Sequence, residues 1–222
     1  MITVHLYDSQ QQQWQIGDLD ILTFPLAAEQ KAWLDVSNAT VSEQTQLLAQ
    51  LGLHPVLAED FLRERHPPKL EVHDDYTLLI LRAFVGADFF DYPGHAQLSL
   101  IFSKQFLLYK WQLPLNISEQ TLPRLDVSQP FSPIKEWVKH YIHAVSASYL
   151  AKLINFEDTL SDFEDQMLDK GDDQKMTKIM RYRSVFRKLD RNLAYQKEMF
   201  AEVLLPDSAH PFKSQFHRTE LR

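Results

Sequence analysis

The chain has 222 residues, 45% of them hydrophobic, with 14 Phe, 8 Tyr and 4 Trp, enough for one large domain with a substantial core. A formal net charge of -7 argues against general affinity for nucleic acid or an anionic membrane surface, and the absence of cysteine excludes disulfides, thiolate metal sites and cysteine nucleophiles. With 5 Gly and neither a G-x-G-x-x-G nor a G-x-x-x-x-G-K-[ST] motif, a glycine-cradled nucleotide site is a poor reading. The N-terminus lacks the basic start and apolar run of a signal peptide, and no stretch of about 18 apolar residues occurs.

Ile2, Val4 and Leu6 alternate with Thr3, His5 and Tyr7, which predicts a half-buried strand. Residues 10–13 read as a polar turn, Trp14 and Ile16 begin a second strand, and 32–36 form a third. A helix follows, capped by Thr40 or Ser42, striped by Leu47, Leu48 and Leu51, and stopped by Gly52 in a left-handed C-cap. Residues 51–76, LGLHPVLAEDFLRERHPPKLEVHDDY, read as a short acidic helix, a Pro67-Pro68 break and a strand entry ending in Asp74 and Asp75. Residues 70–73 and 76–85 are strands, the second apolar enough to be covered on both faces. A loop at 88–95 carries Pro93-Gly94; a hairpin pairs 97–102 with 106–111; a small helix sits near 117–125, before a Pro-marked joint at 130–133.

Beyond Pro133 the periodicity becomes helical. A helix over 132–170, about 58 Å long, a turn at Gly171-Asp172-Asp173 and a second helix ending before Pro206 predict an antiparallel hairpin. The expected division is an α/β domain over 1–130 and, in the same structural unit, a helical hairpin over 131–222. Phe216 to Arg222 is charged and helix-compatible with no stop signal, so a longer parent protein is expected. Glu157, Asp158, Asp162, Glu164, Asp165, Asp169, Asp172 and Asp173 gather at the hairpin tip, while Lys175, Lys178, Arg181, Arg183, Arg187, Lys188, Arg191 and Lys197 line the returning helix. Two readings fit: cross-helix salt bridges with a solvated face, or an acidic lobe that concentrates divalent cations.

Several segments, in order, resemble the CorA family of divalent-cation channels and transporters, with its ZntB zinc branch. WLDV at 33–36 is similar to W-[IL]-D-[LV], and LGLHPVLAEDFL at 51–62 to L-G-L-H-P-L-x-x-E-D-L-L. RHPPKLEVHDDY at 65–76 resembles R-x-R-P-K-x-E-x-Y-D-D-Y, QLSLIFSKQFLL at 97–108 the following hairpin, and AVSASY at 144–149 the start of the long helical pair. The resemblance implies an α/β/α fold around a mixed sheet with long helices beside it, and a non-enzymatic cytoplasmic domain at the inner face of the plasma membrane. It implies a homopentamer and, in the full-length protein, a stalk helix that starts within 131–222 and two spans with a Gly-Met-Asn signature, neither spans nor signature being contained in these residues. A divalent ion such as Mg²⁺, Co²⁺ or Zn²⁺ would be transported or bound as a regulator. Asp88 and Asp91, in GADFFD at 86–91, are the nearest candidates for a regulatory site between protomers, displaced by at least one residue from the family's acidic position.

Other residues carry competing readings. Asp74 and Asp75 point to opposite faces of an extended segment, which favours turn or strand capping. With a histidine they would instead serve a soluble metal-dependent hydrolase. His140 and His143, one helical turn apart, read as surface residues before they read as zinc ligands. His54 closes a turn and starts a helix, and His66 and His73 show no evident partner. A scaffold whose hairpin binds a partner helix is the remaining alternative.

Overall fold

The computed structural model describes residues 1–73, 75–85, 94–112, 133–169 and 173–204. Its strands are β1 (Thr3–Asp8), β2 (Gln13–Gly17), β3 (Gln30–Asp35), β4 (Lys69–Val72), β5 (Thr77–Val85), β6 (Gly94–Phe102) and β7 (Phe106–Gln112). The helices are α1 (Val41–Gln50), α2 (Pro55–Leu62), α3 (Ile134–Asp169) and α4 (Asp173–Leu204). One seven-stranded sheet runs β2-β1-β3-β7-β6-β5-β4. Every neighbour pair is antiparallel except β3 with β7, which makes the sheet mixed, as expected.

Alternation in the sequence becomes two cores. Along β5, Leu78 and Ile80 face one way, and Leu79 and Leu81 the other; all four are at most 1% exposed, so this strand is covered on both faces. The first face, with Val4, Leu6 and Leu34, packs on Leu47 and Leu48 of α1 and Leu57 and Phe61 of α2. The opposite face, with Leu98, Leu100 and Tyr109, packs on Val138, Tyr141 and Val145 of α3 and Val185 and Leu189 of α4. The result is three layers, helix–sheet–helix. Burying a side chain such as Phe61 contributes about 2–3 kcal/mol relative to leaving it in water.

Local chemistry sets the boundaries. Thr40 is the cap of α1: the Glu43 N–H donates to its hydroxyl at 3.2 Å, and its own N–H donates to the Glu43 carboxylate at 2.7 Å. Gly52, just past the Leu51 C-cap, has φ +66°, the left-handed conformation expected for it. Strand β6 begins at Gly94 rather than at 97. The long β5 carries its ladder through to Val85, opposite Gly94, so Gly94 and His95 belong to the sheet and not to a loop.

Helix α3 has 36 residues and is therefore about 54 Å long. Phe163 packs edge-on to Tyr182, and Phe156 edge-on to Tyr182 and Phe186, so partners advance along α4 as they retreat along α3. That order is the antiparallel hairpin. Lys178 lies 5.5 Å from the Phe163 ring and 5.8 Å from the Tyr182 ring, a cation–π contact across the pair. The helix expected at 117–125, the loop at 88–93, the joint at 130–132 and the turn at 171–172 lie outside the described residues. Among the described residues, no helix is long and apolar enough to cross a membrane.

Candidate functional site

The segment singled out by its sequence, 51–76, folds as a clasp that ties α2 to the edge of the sheet. The Val56 N–H donates to His54 Nδ1 at 3.3 Å, and Pro55 occupies the first turn, where its missing N–H costs nothing. The Tyr76 hydroxyl accepts from the His54 N–H at 2.7 Å, fixing the helix start to the entry of β5. Helix α2 stops at Leu62, ahead of the prolines, because the backbone turns extended at Arg63 to return toward the sheet.

Asp60 is the centre of the clasp. It lies on the sheet side of α2, only 6% exposed, and meets three basic side chains: Lys69 Nζ at 2.6 Å, His66 Nε2 at 3.3 Å and Arg63 at 3.5 Å. Burial pushes its carboxyl up, but the hydrogen bond and charge of Lys69, aided by His66 and Arg63, outweigh this and hold it below the usual carboxylate range. Lys69 also pairs with Glu71, whose own carboxyl is lowered chiefly by that hydrogen bond. His73 Nε2 lies 3.1 Å from Glu71, and its ring stacks between His54 at 5.6 Å and Tyr76 at 5.1 Å. His66 and His73 therefore do have partners, contrary to the expectation from sequence: Asp60 on α2 for His66, and for His73 the neighbouring Glu71 and Tyr76 together with His54 from across the Pro-Pro break.

Beneath α2 lies a charge that the sequence did not flag. Lys110, on β7, is 4% exposed, and its ammonium donates to the Phe61 and Leu62 carbonyls at 3.3 and 3.1 Å. Those carbonyls close the C-terminal end of α2, where a cation is favoured. Burial still dominates and lowers the Lys110 amine to about 8, with Glu64 opposing the shift. Alongside, buried Gln97 clamps the same loop: its amide donates to the Arg63 carbonyl at 3.0 Å and accepts from the His66 N–H at 2.7 Å.

This arrangement can hold a helix, a loop and a strand edge in one geometry. Among the described residues no group of three His, Asp or Glu side chains is placed to hold a metal. Asp75 is exposed, and Asp74, the other member of the pair required by the hydrolase reading, lies outside the described residues. His140 and His143 are both exposed on α3, as a surface reading expects. Asp88, Asp91 and Asp172 lie outside the described residues. Glu157 is exposed; Asp158, Asp162, Glu164, Asp165 and Asp169 follow it along α3, and Asp173 opens α4. These positions lie beyond Tyr149, whose hydroxyl donates to the Arg82 carbonyl at 2.6 Å and anchors α3 on the sheet.

Comparison with known proteins gives the clasp a context. The chain is 24% identical over 146 residues to the cobalt/magnesium transport protein CorA of Thermotoga maritima, an alignment that takes in 64% of this chain and 37% of that protein. The chain thus spans little more than a third of that relative's length. Its fold matches the soluble domain of CorA from Methanocaldococcus jannaschii, with TM-score 0.67 and 21% identity over 99% of this chain and 85% of the other. It also matches the ZntB cytoplasmic domain from Vibrio parahaemolyticus, with TM-score 0.69 and 12% identity over 99% and 87%. At such identities these two likenesses speak for the α/β/α fold. The profile of CorA-like Mg²⁺ transporter proteins matches residues 28–221, so the chain belongs to that family.

Proposed function

We propose that this chain is the cytoplasmic regulatory and assembly domain of a divalent-cation transporter for Mg²⁺, Co²⁺ or Zn²⁺. In the full-length protein it stands at the inner face of the plasma membrane as part of a homopentamer. The observation that carries this reading is a family match over 28–221 coinciding with a fold match, along nearly the whole chain, to a CorA soluble domain and a ZntB cytoplasmic domain. Within it, residues 1–130 form the α/β body, and 131–222 the hairpin and the start of a stalk. The acidic positions from Glu157 to Asp173 raise the local concentration of divalent cations. Asp88 and Asp91 supply the hard oxygen ligands that Mg²⁺ prefers, and two or three carboxylates suffice because the ion keeps several waters.

Exposed apolar side chains support the assembly role. Leu150 and Ile154 on α3 and Met176 and Met180 on α4 are more than half exposed, apolar positions suited to contact with neighbouring helices. Sedimentation velocity tests the regulatory part. Millimolar Mg²⁺ or Zn²⁺ is expected to shift the chain to a larger species, and an Asp88→Asn/Asp91→Asn variant is expected to lose that shift. Identical sedimentation of the native chain with and without either metal contradicts a regulatory metal between protomers.

A further inference from the structure

The ladder of β4 along β5 reaches only to Lys69, opposite Ile80, so Arg82 lies past its end. Across β6 its register partner is Gln97, the residue whose amide holds both Arg63 and His66 by their backbones. The clamp thereby holds the backbone on either side of Arg65 against Gln97, the register partner of Arg82. Arg82 is half-buried and Arg65 exposed. Neither makes an ion pair with a carboxylate among the described residues, where Asp60 and Glu71 pair with Lys69 and Glu59 with Arg63. Glu64 lies close enough to Lys110 to act on its charge.

Two guanidinium groups drawn together, one of them half-buried, repel each other, and the half-buried one loses part of its hydration. An anion between them removes both costs. The direction of the Arg82 shift agrees: burial and then the Arg65 charge lower its guanidinium below the ordinary value. A guanidinium pair presents two planar forks of N–H donors, the geometry that suits a phosphoryl group.

We propose that Arg65 and Arg82, gathered by the Gln97 clamp, form a binding site for a phosphoryl anion, either a soluble phosphate or a lipid headgroup. The ligand would bridge the 63–68 loop to β5 and tighten the clasp around Asp60.

Thermal unfolding of the chain in inorganic phosphate, against potassium chloride of equal ionic strength, reads the soluble source. Co-sedimentation with phosphatidylglycerol vesicles, against phosphatidylcholine vesicles, reads the lipid source. Phosphate is expected to raise the unfolding midpoint beyond the chloride control, or the anionic vesicles to retain the protein. Arg65→Ala, at an exposed position that leaves folding intact, is expected to weaken the effect about tenfold. Arg82→Met is expected to abolish it, and Lys104→Ala, at an exposed turn position, to leave it unchanged. No response to either probe overturns the proposal, as does a response that survives unchanged in the Arg65→Ala variant.

Discussion

Asp60→Asn is expected to lower the unfolding free energy by about 3 kcal/mol, because it leaves Lys69, His66 and Arg63 gathered around a neutral amide. The value sits at the lower end for a broken buried ion pair, since Lys69 and Arg63 keep partial access to water. Urea unfolding should show the midpoint falling with an unchanged slope. The pH dependence supplies a second check. The Asp60 carboxyl is lowered in the folded chain, so its contribution is complete above the ordinary carboxylate value and is lost as pH falls through the folded one. The gap between native and Asp60→Asn proteins should therefore begin to close below about pH 4 and vanish only below the lowered folded value. A constant gap down to the lowest measurable pH would mean that the loss comes from packing and not from charge.

Lys110 gives the second large effect, with the opposite sign in pH. Its amine titrates near 8 when folded and near the ordinary lysine value, about 10.4, when unfolded. Between these values the unfolded chain holds a proton that the folded chain has released, so stability rises with pH; below about 8 both states are protonated and the dependence vanishes. The full rise amounts to roughly 3 kcal/mol. It must be read before about pH 10, because burial raises the Tyr141 and Tyr149 hydroxyls, and their titration in the unfolded chain then favours unfolding. Lys110→Met removes the buried ammonium but strands the Phe61 and Leu62 carbonyls. Near pH 7 the two changes should cancel to within about 1 kcal/mol, while the alkaline rise disappears. Chemical denaturation at pH 7, 8, 9 and 10 makes the comparison, and a rise that persists in the variant would place the titration elsewhere.

Features governed by neighbours in the chain were legible in the sequence. Alternation about Val4 and Leu6 gave β1, Thr40 and Glu43 sit three apart as a capping box requires, and Gly52 marks the end of α1. The unbroken apolar run of β5 announced a strand buried on both faces. The clasp was only half legible. Arg63 reaches Asp60 from the next helical turn, a spacing visible in the sequence, but Lys69 and His66 arrive after the chain has turned back along the sheet. Lys110 follows an apolar run where a lysine reads as a solvent-facing strand residue. Only the packing of α2 over β7 turns it into the counter-charge for carbonyls at Phe61 and Leu62. Arg82 was hidden in the same way, inside an apolar strand whose neighbour ends too early to cover it. No local pattern encodes a contact between segments brought together by the sheet order.

Uptake by the full-length protein, purified and reconstituted into liposomes carrying an ion-sensitive dye, tests most directly the proposal that the chain serves a cation transporter. Saturable entry of Mg²⁺, Co²⁺ or Zn²⁺ is expected, altered in rate or metal dependence when Asp88 and Asp91 are replaced by Asn. Folded, correctly inserted protein that admits none of the three ions would contradict that role.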